Sequence, residues 1–139
     1  MEKRAARVMK ANRAQIEMRL EDLEGRLPAD DRARAVWAFV ETMDLDPLYE
    51  QIQAVEGVAG RPAIDPAILV ALWLYATLEG VGSARLLERL CEEHNAYRWI
   101  RGGVGVNYHT LADFRVGHGG IFERMLTSSV AALLASGTM

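Results

Sequence analysis

Residues 65–93 read DPAILVALWLYATLEGVGSARLLERLCEE, and this stretch decides the fold. From Pro66 to Leu78 there are thirteen residues without a charge. Ile68, Leu69, Val70, Leu72, Trp73, Leu74, Tyr75 and Leu78 leave no polar face at helical spacing, a pattern tolerated only by a helix enclosed by other helices. Asp65 followed by Pro66 supplies an N-cap and the one helical position where proline loses no hydrogen bond. As a helix the run spans about 20 Å against a hydrocarbon thickness of about 30 Å, so it reads as a core helix and not a membrane span. Glu79, Gly80, Val81 and Gly82 predict a tight turn. Ser83 then caps an amphipathic helix with Leu86, Leu87, Leu90 and Cys91 inward and Arg85, Glu88, Arg89 and Glu92 outward. Helix, glycine turn and helix in that order outline a helix-turn-helix.

Toward the N-terminus, Met9, Ile16, Leu20, Leu23 and Leu27 recur at helical spacing and predict an extended, basic amphipathic helix over 1–26, ended by Gly25 and Pro28. Its narrow stripe suits either the chain's own core or a partner helix. Asp30 or Asp31 caps the next helix, with Val36, Trp37, Phe39, Val40 and Met43 as its apolar face and an end near Asp44. Asp46 and Pro47 start a short helix through Leu48, Tyr49 and Ile52. Residues 57–64, GVAGRPAI, form the longest irregular connection. They lack the Lys and Ser or Thr that follow a phosphate-cradling glycine loop, which excludes a nucleotide site of that kind.

Toward the C-terminus, residues 95–100, NAYRWI, predict a short helical piece broken by Gly102, Gly103 and Gly105. A helix follows from Asn107 or Thr110, with Thr110 and Asp113 resembling a capping box, and Gly117, Gly119 and Gly120 stop it. Residues 121–135 place Phe122, Met125, Leu126, Val130, Leu133 and Leu134 on a closing helix. No stretch alternates polar and apolar residues as a strand would. The expectation is an all-α chain, a basic N-terminal helix over 1–26 followed by one multi-helix domain over 27–139 with a helix-turn-helix-like core.

The 139 residues are 50% hydrophobic and 25% charged with a net charge of −3, an ordinary balance for one globular domain. The single cysteine, Cys91, cannot form an internal disulfide, and the charged start carries no secretory signal, so the expected compartment is the cytoplasm. The average charge opposes a basic coat, but its distribution is uneven. Residues 1–19 hold Lys3, Arg4, Arg7, Lys10, Arg13 and Arg19 against Glu2 and Glu17, whereas residues 30–66 are acidic.

Catalytic chemistry finds little support. Cys91 and His94, with His109 and His118 downstream, lack the paired ligands of a structural zinc site. Nothing beside Cys91 marks it as an activated nucleophile, and Glu92 and Glu93 point to different azimuths of their helix, unlike a two-metal pair. No catalytic residue, metal ligand or cofactor is expected. The nucleic-acid candidates are stronger. Arg98, Arg101, Asn107, His109, Thr110 and Arg115 gather around the glycine loop and the helix behind it, where a helix start can meet phosphates or base edges. Lys3, Arg4, Arg7 and Lys10 add a basic arm.

Residues 60–103, beginning GRPAIDP and ending in EHNAYRWIRGG, together with VNYHTLADFR at 106–115, resemble the N-terminal domain of bacterial insertion-sequence transposases of the InsH type, over about residues 27–136. The order of GRP, DP, LEG, YRW and HTLADFR carries the resemblance more than any one of them. It implies a helical domain that helps to bind the ends of the element. The helix near Asn107 is then the recognition helix, with His109, Thr110 and Arg115 at the positions of HTLADFR. The acidic residues that hold two metal ions in the RNase H-like catalytic domain lie beyond the matched region. The expectation is therefore a non-catalytic domain whose partner is double-stranded DNA at transposon ends, with no membrane association. The alternative is an oligomerisation module that pairs with itself or with full-length transposase through the first helix.

Overall fold

The computed structural model describes residues 6–14, 22–50 and 63–137. Among these the chain is mostly helical, as expected. Helix α1 spans Arg32–Glu41, α2 Asp46–Glu50, α3 Pro66–Leu78, α4 Ala84–Glu93, α5 Asn95–Arg101, α6 Tyr108–Gly117 and α7 Gly119–Ala135, with a 3-10 turn at Glu24–Arg26. Three side-chain caps fall where the sequence places them. Asp31 accepts from the Ala33 N–H, Asp65 from Ala67 and Ser83 from Leu86, each satisfying a donor that the first helical turn leaves orphaned.

Helix α3 is the hub. All of its residues from Pro66 to Ala76 except Ala67 are buried, and it packs against α1, α5 and α7. Burying each of its large aliphatic side chains contributes about 1.5–3 kcal/mol. Trp73, Tyr97, Phe122, Leu72, Leu87 and Leu111 anchor one continuous core. An ion pair between Arg32 and Glu79 ties the start of α1 to the end of α3.

The helix-turn-helix outline is distributed differently from expectation. Across the Glu79–Ser83 turn α3 and α4 make few direct contacts, and the principal partners of α4 are α5 and α6. Helices α4, α5 and α6 thus form a three-helix unit resting on α3. The N–H of Trp73 in α3 donates to the Leu111 carbonyl of α6 (3.0 Å) and joins the unit to the hub.

The helix expected over 1–26 is corrected where the chain is described. Residues 6–12 are non-helical and 13–14 form a turn, with Val8–Met9 forming β1, which pairs in parallel with β2, Ala63–Ile64, in the register Val8 to Ala63 and Met9 to Ile64. The physical reason is non-local. Backbone donors of residues 63 and 65 find the carbonyls of Arg7 and Met9, and half-buried Met9 and Ala11 pack on the core. These gains replace the local helical bonds of a narrow-striped segment. Leu23 and Leu27 are buried in the chain's own core. Ile16 and Leu20, which completed the stripe, lie outside the described residues, as does Ile52 of the second short helix. A smaller difference concerns α7. It starts at Gly119, so Gly119 and Gly120 open the last helix, and only a junction at His118 separates it from α6.

The N-terminal strap crosses the end of α5. The Asn12 N–H donates to the Gly102 carbonyl (2.8 Å), and the Glu24 N–H to that of Arg13 (3.0 Å). Gly102 sits in the left-handed region at φ +55°, and a Cβ there would lie 2.6 Å from the Ala11 Cβ. Both the helix end and the strap therefore require glycine at this position.

Candidate nucleic-acid interface

Asn107 begins α6 as its N-cap, its Oδ1 accepting the Thr110 N–H at 2.9 Å. The competing start at Thr110 does not occur, because a residue capping from there would leave Tyr108 and His109 outside the helix. With the Asn107 oxygen engaged, its amide NH2 remains on an exposed side chain as a donor. The Tyr108 N–H, an orphan donor of the first turn, goes to the half-buried Glu88 carboxylate of α4 (3.1 Å). That bond fixes the start of α6 against α4.

Outside this joint Arg85 and His109 both lie against the Tyr108 ring. The Arg85 guanidinium stands 4.1 Å over the Tyr108 ring and donates to its hydroxyl at 3.1 Å. The His109 ring lies 4.0 Å from the Tyr108 centroid at an interplanar angle of 32°. Arg85, Asn107 and His109 are exposed and Thr110 is half-buried. Arg89, also exposed, is one helical turn beyond Arg85, so the two share a face of α4. A cation, two aromatic edges and two hydrogen-bonding side chains thus converge on the N-terminal end of α6, where the peptide dipoles add partial positive charge.

The other expected residues are placed elsewhere. Arg101 turns inward, its Nε donating to the Cys91 carbonyl at 2.6 Å and its Nη1 to that of Val104 at 3.3 Å, so it clasps α4 to the glycine loop. Arg98 is half-buried in the last turn of α5. Arg115 lies at the far end of α6. It makes a two-pronged bond to Glu123 of α7, at 2.6 and 2.9 Å, and stands 4.7 Å over the Trp73 ring. That pairing raises the pKa of Arg115 and holds the Glu123 carboxyl below its usual range. In the free protein Arg115 therefore joins α3, α6 and α7. Lys3 and Arg4 lie outside the described residues, and Arg7 and Lys10 belong to the strap, where the Lys10 ammonium stands 5.9 Å from the Tyr49 ring.

The residues considered for metal or thiol chemistry have structural occupations. Cys91 is fully buried, and desolvation pushes its thiol up to about 12. His94 caps α5, its Nδ1 accepting the Ala96 N–H at 3.3 Å. Among the described residues no three His, Cys, Asp or Glu side chains group as metal ligands, and no helix is long and apolar enough to cross a membrane.

Two features escaped the sequence. Arg85 reads only as an outward helix residue, because its partner Tyr108 is remote in the chain. Arg13 carries no local signal, yet its guanidinium is sandwiched between Trp37 (3.7 Å) and Trp99 (4.6 Å) and donates to the Ile100 carbonyl at 3.0 Å. Arg34 stacks on Trp99 as well (5.1 Å), and the Trp99 indole N–H donates to Glu24 at 2.7 Å, which also pairs with Arg34.

The described chain is thus a helical domain with a cationic, hydrogen-bonding helix start beside a second helix. The sequence matches the family described as Transposase domain (DUF772) over residues 21–116, well over half of the chain, and the protein belongs to that family. The match takes in α1 through nearly all of α6, and so both helices of the candidate interface. No curated protein sequence and no solved structure matches the chain.

Proposed function

We propose that this transposase domain binds double-stranded DNA at transposon ends through the start of α6 and the outer face of α4, acts in the cytoplasm, and carries out no strand chemistry itself. The observation that carries the reading is the exposed Arg85–Tyr108–His109 cluster beside the Asn107 cap. Arg85 and Arg89 suit phosphates. The Asn107 amide, His109 and the Thr110 hydroxyl suit base edges, because side chains at the start of a helix reach furthest into a groove. Family membership supports the same reading, since a transposase domain works on DNA. The alternative of pairing subunits through the first helix is less favoured, because Met9 is in β1 and Leu23 and Leu27 are spent on the chain's own core.

The test is Arg85→Ala and His109→Ala, each verified as folded by circular dichroism, in duplex-binding titrations. Arg85→Ala removes about one unit from the slope of log affinity against log salt. His109→Ala narrows the difference between element-end and scrambled duplexes, by about 1–3 kcal/mol if it makes a base contact. Folded variants that bind as the wild type does would contradict the assignment.

A further inference from the structure

We infer that the basic strap of residues 6–14 is a displaceable latch, held on the domain by an aromatic and acidic slot and drawn off by duplex DNA, which competes for the same cations. The inference rests on the DNA-binding reading above and adds its regulation.

Three observations support it. The strap is shallowly seated. None of its residues is fully buried, and it is held by a few backbone bonds, from Ala63 to Arg7, from Asp65 to Met9, from Asn12 to Gly102 and from Glu24 to Arg13. Segments with few buried contacts open at the low end of the free-energy scale. Next, the central residue of the latch is incompletely satisfied. Arg13 is desolvated enough to lower its pKa to about 10, still charged at neutral pH. Among the described residues its buried Nε has no hydrogen-bond partner. A phosphate would meet the whole guanidinium fork, which a carbonyl and two ring faces do not.

Finally, the slot mimics the charge of the competitor. Glu41, Glu24 and Asp65 all act on Arg13. Glu41, Asp44, Asp46 and Asp65 line a cleft of about 480 Å³ against which Lys10 and Arg13 lie. This also gives the acidic stretch of the sequence an occupation, since it neutralises the arm's cations when no DNA is present. Lys10 and Arg13 can face these carboxylates or a phosphate backbone, but not both at once. The docked strap therefore withholds two cations from DNA, and binding through α4 and α6 raises the local phosphate concentration that extracts them.

The experiment uses the full chain and a mixed-sequence duplex at low salt, with hydrogen exchange read by mass spectrometry. In the free protein the amides of Asn12, Ala63 and Asp65 are protected by the strap bonds. In the saturated complex they exchange faster, while the buried helix α3 does not change. A second arm uses Val8→Cys with Ala63→Cys, paired across the β1–β2 register. Oxidation pins the strap, and the locked protein binds with a salt slope shallower by about 1.8, two cations at about 0.9 each. Reduction restores the wild-type slope. Binding with unchanged or increased protection at these amides, or equal slopes for locked and reduced protein, would overturn the latch while leaving the DNA reading intact. No binding of the duplex in any form would overturn both.

Discussion

Replacing Gly102 by alanine perturbs the point where the strap and the domain come closest, and Gly80 provides the control. Both glycines have positive φ, +55° and +78°, so an alanine at either pays about 1–2 kcal/mol for the left-handed conformation. They differ in their surroundings. A Cβ at Gly80 meets nothing within 4 Å, whereas one at Gly102 would lie 2.6 Å from the Ala11 Cβ and 2.7 Å from the Asn12 nitrogen. Neither of those atoms is the end of a flexible side chain, so the strap must lift. Lifting breaks the Asn12 bond to Gly102 and pulls Arg13 from the Ile100 carbonyl, at about 1 kcal/mol for each bond. It also disturbs the stacking on Trp37 and Trp99, worth about 1 kcal/mol more. Gly80→Ala should therefore cost about 1–2 kcal/mol and Gly102→Ala about 4 kcal/mol. Urea unfolding followed by circular dichroism measures both, and tryptophan fluorescence of Gly102→Ala should shift before global unfolding as Trp37 and Trp99 lose the guanidinium between them. Equal losses for the two variants would refute the reasoning, because the left-handed conformation would then account for everything and the strap would not press on Gly102.

Tyr97 is buried, and among the described residues its hydroxyl has no hydrogen-bond partner. Tyr97→Phe should leave the thermal midpoint unchanged or raise it, and a loss above about 1 kcal/mol would show that the hydroxyl is satisfied after all. Arg115→Ala and Glu123→Ala should be coupled in a double-mutant cycle by about 0.5–1 kcal/mol, since the pair is two-pronged but partly exposed. Absence of coupling would leave Arg115 to its contact with Trp73. The carboxyls of Glu24 and Glu123 are held below their usual value by hydrogen bonds, from Trp99 and Arg34 in the first case and from Arg115 in the second. Their stabilisation is full above the unfolded carboxylate pKa of 4.5 and is lost as pH falls through the depressed folded values. Glu24→Gln with Glu123→Gln should accordingly flatten the acid limb of a stability-versus-pH curve, and an acid limb as steep as that of the wild type would contradict the assignment. Cys91, with its thiol raised to about 12, should react with a thiol reagent at pH 8 only at the rate of unfolding. Prompt labelling of the folded chain would contradict its burial.

The helices were legible because their signals are local. Asp31, Asp65 and Ser83 cap the elements they precede, and the uncharged run of α3 required the enclosing helices that surround it. The strap was not legible. Two-residue strands have no alternation to detect, and Val8 pairs with Ala63, which lies beyond α1 and α2 in the chain. The basic residues of 6–14 keep the spacing of a helix, and nothing nearby reveals that Trp37 and Trp99 will stand on either side of Arg13. The candidate interface was half legible. Asn107, His109 and Thr110 stand together because they are consecutive on one helix start. Arg85 joins them only through the packing of α4 on α6. The place of Arg101 beside the glycines groups it with them, but its length lets it fold back onto the carbonyls of Cys91 and Val104.

The most direct measurement is fluorescence anisotropy of labelled element-end and scrambled duplexes titrated with the purified chain across a salt series. Tighter binding to the ends, with affinity falling linearly on a log–log salt plot, is the predicted result for phosphate contacts by Arg85 and Arg89 and base contacts from the start of α6. A chain that leaves the anisotropy of both duplexes unchanged at low salt would contradict DNA recognition by this domain.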